Sequence, residues 1–234
     1  MIDGTGIKIM ASAATREAYR LDSTSRNIAN VNTAGFKAEW VRFLEGGVER
    51  KAAQGPTATI DYSQGALQKT GNVLDLAIEG DGFFTLQGKD GIAYTRDGRA
   101  TLNEEGELVS LSGEYFLGKG GKITISGDDI QVGANGSVIV DGNEVDTLKI
   151  AGFQNPSALV QLNARLYINN DDAAGMREEE KPQVRSGFME LSNVQIVREM
   201  VEMINIQRTF ESYQKAIQTI DEQNEASTSR IGRL

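Results

Sequence analysis

Apolar residues near the C-terminus recur at the spacing of an amphipathic helix. The pattern predicts a helix from Asn193 to about Glu225. Its main apolar stripe comprises Ile196, Met200, Met203, Ile206, Phe210, Tyr213, Ile217 and Ile220, and a second stripe comprises Val194, Val197, Val201 and Ile204. Ser192 and Gln195 have the spacing of a capping box, and Leu191 with Ile196 fits a hydrophobic staple. Such a helix would be roughly 50 Å long, so it needs another helix to bury its apolar face.

A second helical pattern covers the N-terminal region from about Thr5 to Ala29. Small and apolar residues recur there at intervals of three and four, at Ile7, Met10, Ala14, Ala18, Leu21, Ser25 and Ile28. The following residues, Asn30 to Gly35, are typical of a turn, because Asn and Gly tolerate the left-handed conformations that end a helix. The stretch from Phe36 to Val48 is then predicted to form a short extended or mixed arm.

The middle of the chain has a different pattern, in which glycines separate short segments rich in β-branched and aromatic residues. The predicted strands are 74–79, 83–86, 93–96, 115–117, 123–125, 130–132, 137–140 and 145–150. Turn signals such as Asp97-Gly98 and Asn135-Gly136 lie between them, which favours an antiparallel sandwich or a small barrel of hairpins. Residues 154–190 are predicted to be irregular, with an exposed loop at 169–175.

These patterns together predict an α+β fold. Long N- and C-terminal helices are expected to pair as a coiled-coil-like core, with a central antiparallel β-rich domain between them in sequence. The predicted helical core is discontinuous and comprises residues 1–36 and 191–234. Residues 37–64 form a connecting arm and residues 65–190 the β-rich domain. We favour self-assembly or helix pairing over the alternative in which the terminal helices only pack on the β domain, because their apolar seam is long.

Composition narrows the chemistry that the chain can perform. Its 234 residues include no cysteine and no histidine, and the formal net charge is −9. No disulfide, thiolate metal site or histidine base is available, so the chain is not expected to be an enzyme. The acidic charge and the lack of a basic stretch argue against nucleic-acid binding. No signal-peptide pattern or membrane-spanning apolar run is evident, and direct membrane insertion is not expected.

Several short motifs resemble ligand-binding loops, but a purely structural role is favoured for each of them. Gly80-Asp81-Gly82 resembles part of a phosphate loop, but no Gly-Lys-Ser/Thr follows it, so a tight hairpin turn is favoured. Residues 141–146 and 169–180 are acidic, yet neither has the residue pattern of an EF-hand loop, and a solvated loop is favoured. No catalytic residue, metal ligand or cofactor site is therefore predicted.

The turn after the first helix carries a more specific signal. Residues 27–37, NIANVNTAGFK, resemble the N-terminal signature of the bacterial flagellar axial proteins. Residues 75–84, DLAIEGDGFF, and 94–98, YTRDG, are similar to the core of the rod and hook group. Residues 187–194, GFMELSNV, together with 199–211, resemble the segment that leads into the last helix of these proteins and that helix itself. Because the motifs keep the family order and hook proteins are much longer, the chain is identified as a member of the flagellar basal-body rod protein family.

Within that family the short length and the tail at 221–234 resemble the FlgF type, a proximal rod protein, more than the FlgG type, a distal rod protein. Arg26 departs from the pattern, since the family usually has Asn there. The resemblance implies a structural subunit that self-assembles helically with other axial proteins. The assembly would form the drive shaft and export channel, span the periplasm and transmit torque to the hook.

The resemblance also implies the partners of the chain. These are copies of itself, other rod subunits, hook-proximal axial proteins and the flagellar type III export apparatus, which would export the chain without a cleaved signal peptide. The residues expected at the assembly interface are Ile7, Met10, Ala14, Leu21, Ile28, Asn30, Asn32, Gly35, Phe36, Ile196, Met203, Ile206, Phe210, Tyr213, Ile217 and Ile220. Two alternatives are a dimeric, non-flagellar binding module, which requires a cleft of convergent polar side chains, and a carbohydrate-active enzyme, which requires a buried carboxylate pair.

Overall fold

The computed structural model describes residues 5–43, 57–179 and 181–231, without the side chains of 5–7, 171, 221 and 223–231. Two α-helices are present in these ranges, α1 (Thr5–Ala29) and α2 (Ile196–Ile231), together with short 3-10 helices at Pro156–Ala158 and Asn170–Asp172. The first ten strands are β1 (Glu39–Arg42), β2 (Thr57–Ile60), β3 (Leu67–Lys69), β4 (Asp75–Ile78), β5 (Phe83–Gly88), β6 (Gly91–Thr95), β7 (Gly98–Leu102), β8 (Leu108–Ser110), β9 (Tyr115–Gly118) and β10 (Gly121–Lys122). The remaining strands are β11 (Ile130–Val132), β12 (Ser137–Val140), β13 (Asn143–Thr147), β14 (Ile150–Phe153), β15 (Val160–Gln161), β16 (Leu166–Ile168), β17 (Met176–Glu178), β18 (Val184–Ser186) and β19 (Phe188–Glu190).

The chain divides into two compact units. The helical unit contains the described parts of Met1–Ala29, Glu39–Thr59 and Gln195–Leu234, and the β unit contains Asn30–Ala38 and Ile60–Val194. The fold is thus α+β, with a β-rich centre and one helix towards each end of the chain, as the sequence predicts. The three domain ranges proposed from the sequence stay a prediction.

In the helical unit α1 and α2 pack against each other, and β1 packs along α1. The sequence places both ends of α1 correctly, at Thr5 and Ala29. The start of α2 is predicted too early, because the helix begins at Ile196 and the first helical hydrogen bond runs from Glu199 N–H to the carbonyl of Gln195.

The predicted capping box at Ser192 is wrong. The hydroxyl of Ser192 accepts a hydrogen bond from Val194 N–H at 3.2 Å, and Leu191 N–H donates to the carbonyl of Ala66. The side chain of Asn193 bonds Ala38 N–H and the carbonyl of Asp61. These residues remain extended because their polar groups bind the β unit instead of capping a helix.

In the β unit, twelve of the described strands form one antiparallel sheet with the main path β15-β16-β6-β5-β9-β8-β7-β4-β18. Adjacent residues of β5 show that both faces of this sheet are covered. Phe84 points into the main core, whereas Phe83 contributes to an aromatic cluster with Tyr94 and Tyr167. This two-sided burial explains why β4 and β5 are apolar runs without clear alternation. The main core also contains Leu76, Ile78, Leu86, Leu108, Phe116, Ile123, Val138, Leu148 and Ile150.

The prediction for residues 154–190 is wrong, because β15 to β19 lie there. Strands β15 to β18 belong to the main sheet, and β19 pairs with β3 in a separate two-stranded sheet. Their segments are only two or three residues long, too short for periodicity to be recognised. Ala174, in the predicted exposed loop, is fully buried in the aromatic cluster. Residues 123–125 are also not a strand. Ile123 and Ile125 are buried, but Thr124 makes only an isolated bridge to Glu107.

Candidate assembly interface

The buried face of α2 follows a heptad pattern that differs from the predicted stripe at its beginning. The least exposed positions alternate by four and three residues, at Glu199, Met203, Ile206, Phe210, Tyr213, Ile217 and Ile220. Ile206 is the most buried of them, with 2% of its surface exposed. Ile196 and Met200 are exposed, and Glu199 takes the place in the seam that the pattern assigns to apolar residues.

The buried face of α1 combines predicted apolar residues with polar ones. Met10, Ala14, Leu21 and Ile28 are half-buried, and the side chain of Ile7 lies outside the described residues. Ser23, Thr24 and Asn27 are more deeply buried than any of these. Periodicity did not single out these polar residues, because a hydrophobic pattern ignores side chains that are buried by hydrogen bonding.

Two contacts define the relative direction of the helices. Arg20 of α1 pairs with Glu202 of α2, and Asn27 of α1 hydrogen-bonds the carboxylate of Glu199. Because the later residue of α1 meets the earlier residue of α2, the helices run antiparallel. Burial raises the pKa of Glu199, whereas the Asn27 hydrogen bond and the charge of Arg198 lower it.

The start of β1 is fixed to the last turns of α1. The side-chain amide of Asn27 donates to the carbonyl of Glu39 and accepts from Glu39 N–H, both at 2.9 Å. The hydroxyl of Ser23 donates to the same carbonyl at 2.9 Å. Arg26, the residue that departs from the family pattern, lies 2.7 Å from the carboxylate of Glu39 and 3.2 Å from that of Asp22. Arg26 therefore neutralises a carboxylate that is buried on β1.

The turn after α1 lies within the β unit and has the predicted chemistry. Thr33 N–H donates to the carbonyl of Asn30, and Gly35 has φ +68°. Gly35 N–H donates to the carbonyl of Glu190 at 2.9 Å, while Asn32 remains exposed. Phe36 is buried together with Ala38 and Val194. The turn therefore places residues 30–38 beside residues 190–194, the segment that precedes α2.

A buried ionic cluster lies directly behind this turn and consists of Lys37, Arg96 and Glu190. Lys37 Nζ is 2.6 Å from Glu190 Oε1 and 2.7 Å from the carbonyl oxygen of Ser63. Arg96 Nη1 is 3.4 Å from Glu190 Oε2 and donates to the carbonyl of Gly80 at 2.8 Å. Burial lowers the pKa of Lys37 and of Arg96, and the carboxylate of Glu190 opposes both shifts.

These three residues were missed as a functional set, although each lies in a motif with family resemblance. Lys37 ends NIANVNTAGFK, Arg96 is central in YTRDG, and Glu190 lies in GFMELSNV. Each motif shows only a local resemblance, so nothing in the sequence joins the three charges. Glu190 lies on β19, whereas Lys37 follows the turn after α1 and Arg96 lies between β6 and β7, so only the folded β unit brings the three side chains into contact.

A second apolar face of α2 is not covered by the described residues. It is formed by residues that lie to one side of the seam with α1, namely Ile196, Val197, Met200, Val201 and Ile204. Val197 is 73% exposed and Val201 53% exposed. Contiguous apolar residues of this kind on a helix indicate a protein-binding surface.

The described residues contain no group of three or more acidic side chains placed to hold a metal ion. None of the described helices has the length and apolar character needed to cross a membrane.

Three family models match successive parts of the chain. They are described as flagella basal body rod protein, over residues 7–37, flagellar hook protein FlgE/F/G D1 domain, over residues 77–140, and flagellar basal body rod FlgEFG protein C-terminal, over residues 185–230. The three matches include the turn, the centre of the β unit and most of α2.

Curated proteins are similar along nearly the whole chain. The flagellar basal-body rod protein FlgG of Bacillus subtilis is 35% identical over 237 residues, covering 87% of this chain and 90% of the relative. The flagellar basal-body rod protein FlgF of Caulobacter vibrioides is 34% identical over 227 residues and covers 92% of each chain. FlgF of Rhizobium meliloti is 33% identical over 225 residues, with 89% and 90% covered.

Proposed function

Because the chain belongs to the flagellar basal-body rod protein family, we propose that the helical unit is its assembly interface and that the second apolar face of α2 binds neighbouring rod subunits. The protein is a structural subunit of the rod in the flagellar basal body, and it is not an enzyme. It interacts with other rod subunits and serves motility. Family membership replaces the alternative of a non-flagellar binding module.

The exposed apolar face of α2 is the observation that carries this proposal. One face of α2 already packs on α1, so the second face is not needed for folding of the helical unit. Leaving Val197, Val201 and Ile204 in water is unfavourable, by about 1.5–3 kcal/mol for each such side chain relative to full burial. Association of subunits would bury these side chains and would be stabilised by that free energy.

The contact is proposed to be heterologous, because the seam face and the exposed face of α2 differ. A head-to-tail contact that does not close a ring generates a helical filament. On this basis α1 and α2 form a coiled-coil-like core around the export channel, and the assembled rod transmits torque. The interface would include the predicted seam residues of both helices and the predicted residues of the turn, Asn30, Asn32, Gly35 and Phe36.

The remaining features implied by the resemblance are proposals of the same kind. They are the division into core 1–36 and 191–234, arm 37–64 and β domain 65–190, and a rod that spans the periplasm and contacts hook-proximal proteins. We also propose that the chain is exported through the type III apparatus without cleavage of the N-terminus. The intact mass of the subunit in purified basal bodies tests the last point directly, because cleavage would lower it.

The position in the rod is proposed to be proximal, of the FlgF type, with the distal FlgG type as the alternative. The identities of 35% and 34% to a FlgG and a FlgF protein are nearly equal, so overall similarity does not distinguish the two positions. The proposal depends on the short length and the C-terminal tail of the chain.

The decisive experiment introduces a charge on the exposed face of α2. Val197→Asp and Val201→Asp should abolish swimming and rod assembly, while the helical content of the purified subunit remains unchanged, because both side chains are exposed. Asn205→Asp is the matched control, since it places the same charge on an exposed position between the two faces. Normal rods in the Val201→Asp strain would contradict the proposed contact.

A second pair of variants tests the seam. Phe210→Asp and Ile217→Asp introduce charge at half-buried positions of the α2 face that packs on α1. Both should prevent basal-body assembly, and circular dichroism should also show loss of helix. Survival of motility in these strains would mean that the α1–α2 core is not needed.

A further inference from the structure

A cavity of about 270 Å³ opens in the helical unit between α1, β1 and the beginning of α2. Its lining includes carboxylates from two elements, with Glu199 and Glu202 on α2 and Glu39 on β1. Arg20, Arg198 and Trp40 also line it. The sequence pattern does not indicate a polar cavity here, because it predicts apolar residues in the seam at the start of α2.

Glu199 is the unusual group in this cavity. Only 7% of its surface is exposed, and none of the described residues forms an ion pair with it. The Asn27 amide hydrogen-bonds Glu199, and it is otherwise occupied by the backbone of Glu39. A carboxylate accepts up to about four hydrogen bonds, so one amide leaves most of its capacity unused. Buried charges are normally paired, and no cation of the described residues lies within ion-pair distance of this one.

The neighbouring charges do not supply that cation. Arg20 pairs with Glu202 and with Glu17, and Arg26 pairs with Glu39 and Asp22. Arg198 lines the cavity and attracts Glu199 electrostatically, but it is not within ion-pair distance. Among the described residues, the lining of the cavity therefore holds more carboxylates than arginines: Glu39, Glu199 and Glu202 against Arg20 and Arg198. The excess of carboxylates makes the cavity complementary to a further positive charge.

Trp40 adds an aromatic surface at the same place. It is the single tryptophan of the chain and is 46% exposed, although large aromatic side chains usually gain from burial. Tryptophan is the aromatic residue that best attracts a lysine or arginine side chain over its ring. Tryptophan is also one of the residues that contribute most to the binding energy of protein interfaces.

We propose that a lysine or arginine side chain of a neighbouring rod subunit enters this cavity, pairs with Glu199 and packs on Trp40. The inference rests on the proposed function for the identity of the neighbour, and it adds a specific polar contact to the apolar one. The cation would complete the coordination of Glu199 without displacing the internal pairs of Arg20 and Arg26.

The proposal separates the stability of the subunit from its assembly. In the free subunit the buried charge of Glu199 is a cost, so the neutral isostere in Glu199→Gln should leave the thermal unfolding temperature unchanged or raise it. In the rod the same substitution removes the ion pair, so swimming and the yield of complete rods should fall at least tenfold. A residue with a purely structural role would not produce these opposite effects.

Glu211→Gln is the matched control, because it makes the same change at an exposed position of α2 outside the cavity. It should leave both unfolding temperature and motility unchanged. If Glu199→Gln strains assemble rods and swim like the control, the inference is wrong. A marked fall in unfolding temperature for Glu199→Gln would also count against it, because the carboxylate would then stabilise the free subunit.

Photo-crosslinking at Trp40 provides a test that does not depend on folding of the Glu199 variant. The exposed side chain is replaced by p-benzoylphenylalanine, flagellated cells are irradiated, and the crosslinked peptide is sequenced. The expected peptide belongs to a rod subunit, or to a second copy of this chain, and carries Lys or Arg within one helical turn of the crosslink. A peptide without such a residue, or no crosslink in cells that assemble rods, overturns the inference.

The two proposals fail in different ways. If Val201→Asp blocks assembly while Glu199→Gln does not, the apolar contact stands and the cation contact is wrong. If Glu199→Gln blocks assembly while Val201→Asp does not, the apolar contact is wrong and the cavity remains an interface.

Discussion

At the scale of single residues, the carboxylate of Glu190 is a shared acceptor for buried polar groups near the turn after α1. Its two oxygens receive hydrogen bonds from Lys37, Arg96 and Gly65 N–H. Desolvation of two cations and one carboxylate is expensive, and it is compensated only while all of these bonds are present. The loss of the single carboxylate should therefore affect stability more than the loss of either cation.

Glu190→Ala should lower the free energy of unfolding by about 3–5 kcal/mol, because two buried cations lose their counter-ion. Lys37→Met should have a smaller effect, since Glu190 keeps its contacts with Arg96 and Gly65. Urea unfolding of the purified chain measures both, and Glu79→Ala, which breaks the exposed pair with Arg185, is the control. An equal or larger loss for Lys37→Met would contradict this account.

Tyr62 gives the β unit a sensitivity to alkaline pH. Burial raises the pKa of Tyr62 from 10.0 to about 12, and no described residue forms a hydrogen bond with its hydroxyl. The unfolded chain loses this proton first, from about pH 10, so ionisation favours the unfolded state as pH rises towards 12. The stability associated with Tyr62 is fully present below pH 10 and declines above it.

Tyr62→Phe should therefore reduce the loss of stability between pH 8 and pH 11 and should cost nothing at neutral pH. Urea unfolding midpoints at pH 8, 10 and 11 measure this difference against the unmodified chain. Tyr19→Phe on the exposed side of α1 is the control for removing a hydroxyl elsewhere. A pH dependence unchanged by Tyr62→Phe would show that this side chain does not contribute.

At the scale of elements, the turn after α1 depends on a close backbone approach. Gly35 has φ +68°, and a Cβ atom there would lie 2.4 Å from the backbone nitrogen of Asp97. Gly71 also has positive φ, +81°, but a Cβ atom there would meet nothing within 4 Å. Replacing Gly71 by alanine therefore measures the free-energy cost of a positive φ alone, and replacing Gly35 adds the cost of a steric clash.

Gly71→Ala should lower the free energy of unfolding by about 1–2 kcal/mol, the cost of a left-handed conformation alone. Gly35→Ala should cost clearly more, because residues 30–38 must move away from Asp97 and lose the hydrogen bond to Glu190. Thermal unfolding of the two variants gives the comparison. Equal losses would mean that the backbone approach at Gly35 is relaxed without cost.

The start of α2 shows how contacts elsewhere in the fold change where a helix begins. The heptad of α2 from Met203 to Ile220 was predicted correctly from spacing, since those residues are at least half-buried. The first turn was predicted wrongly. Asn193 and Leu191 form hydrogen bonds within the β unit, so the helix begins only at Ile196. A local pattern contains no information about such distant partners.

At the scale of the whole molecule, the rod subunit carries more apolar surface than its own fold uses. The exposed face of α2 and the polar cavity beside Trp40 both belong to the helical unit. The β unit has its own core, in which the main cluster and the aromatic cluster lie on opposite faces of one sheet. Assembly is thus expected to depend on the helical unit.

Deletion of the gene should stop rod assembly at a defined layer. For a proximal subunit, basal bodies purified from the deletion strain should carry only a short proximal stub and no hook in electron micrographs. A longer stub that lacks only the distal segment would assign the distal position instead. Complete rods with hooks would show that the chain is not an essential rod subunit, and a plasmid copy of the gene is the control.

The sequence alone determined the α+β class, the ends of α1, most predicted strands and the family, because periodic patterns and short motifs are local. It missed β15 to β19, whose segments are too short to show a period and are strands only because other strands pair with them. The tertiary structure decided the rest. It joined Lys37, Arg96 and Glu190 from three distant motifs, and it placed Glu199 instead of Ile196 in the helical seam. These arrangements depend on buried polar groups finding partners across the fold, and a pattern of apolar positions does not specify such partners.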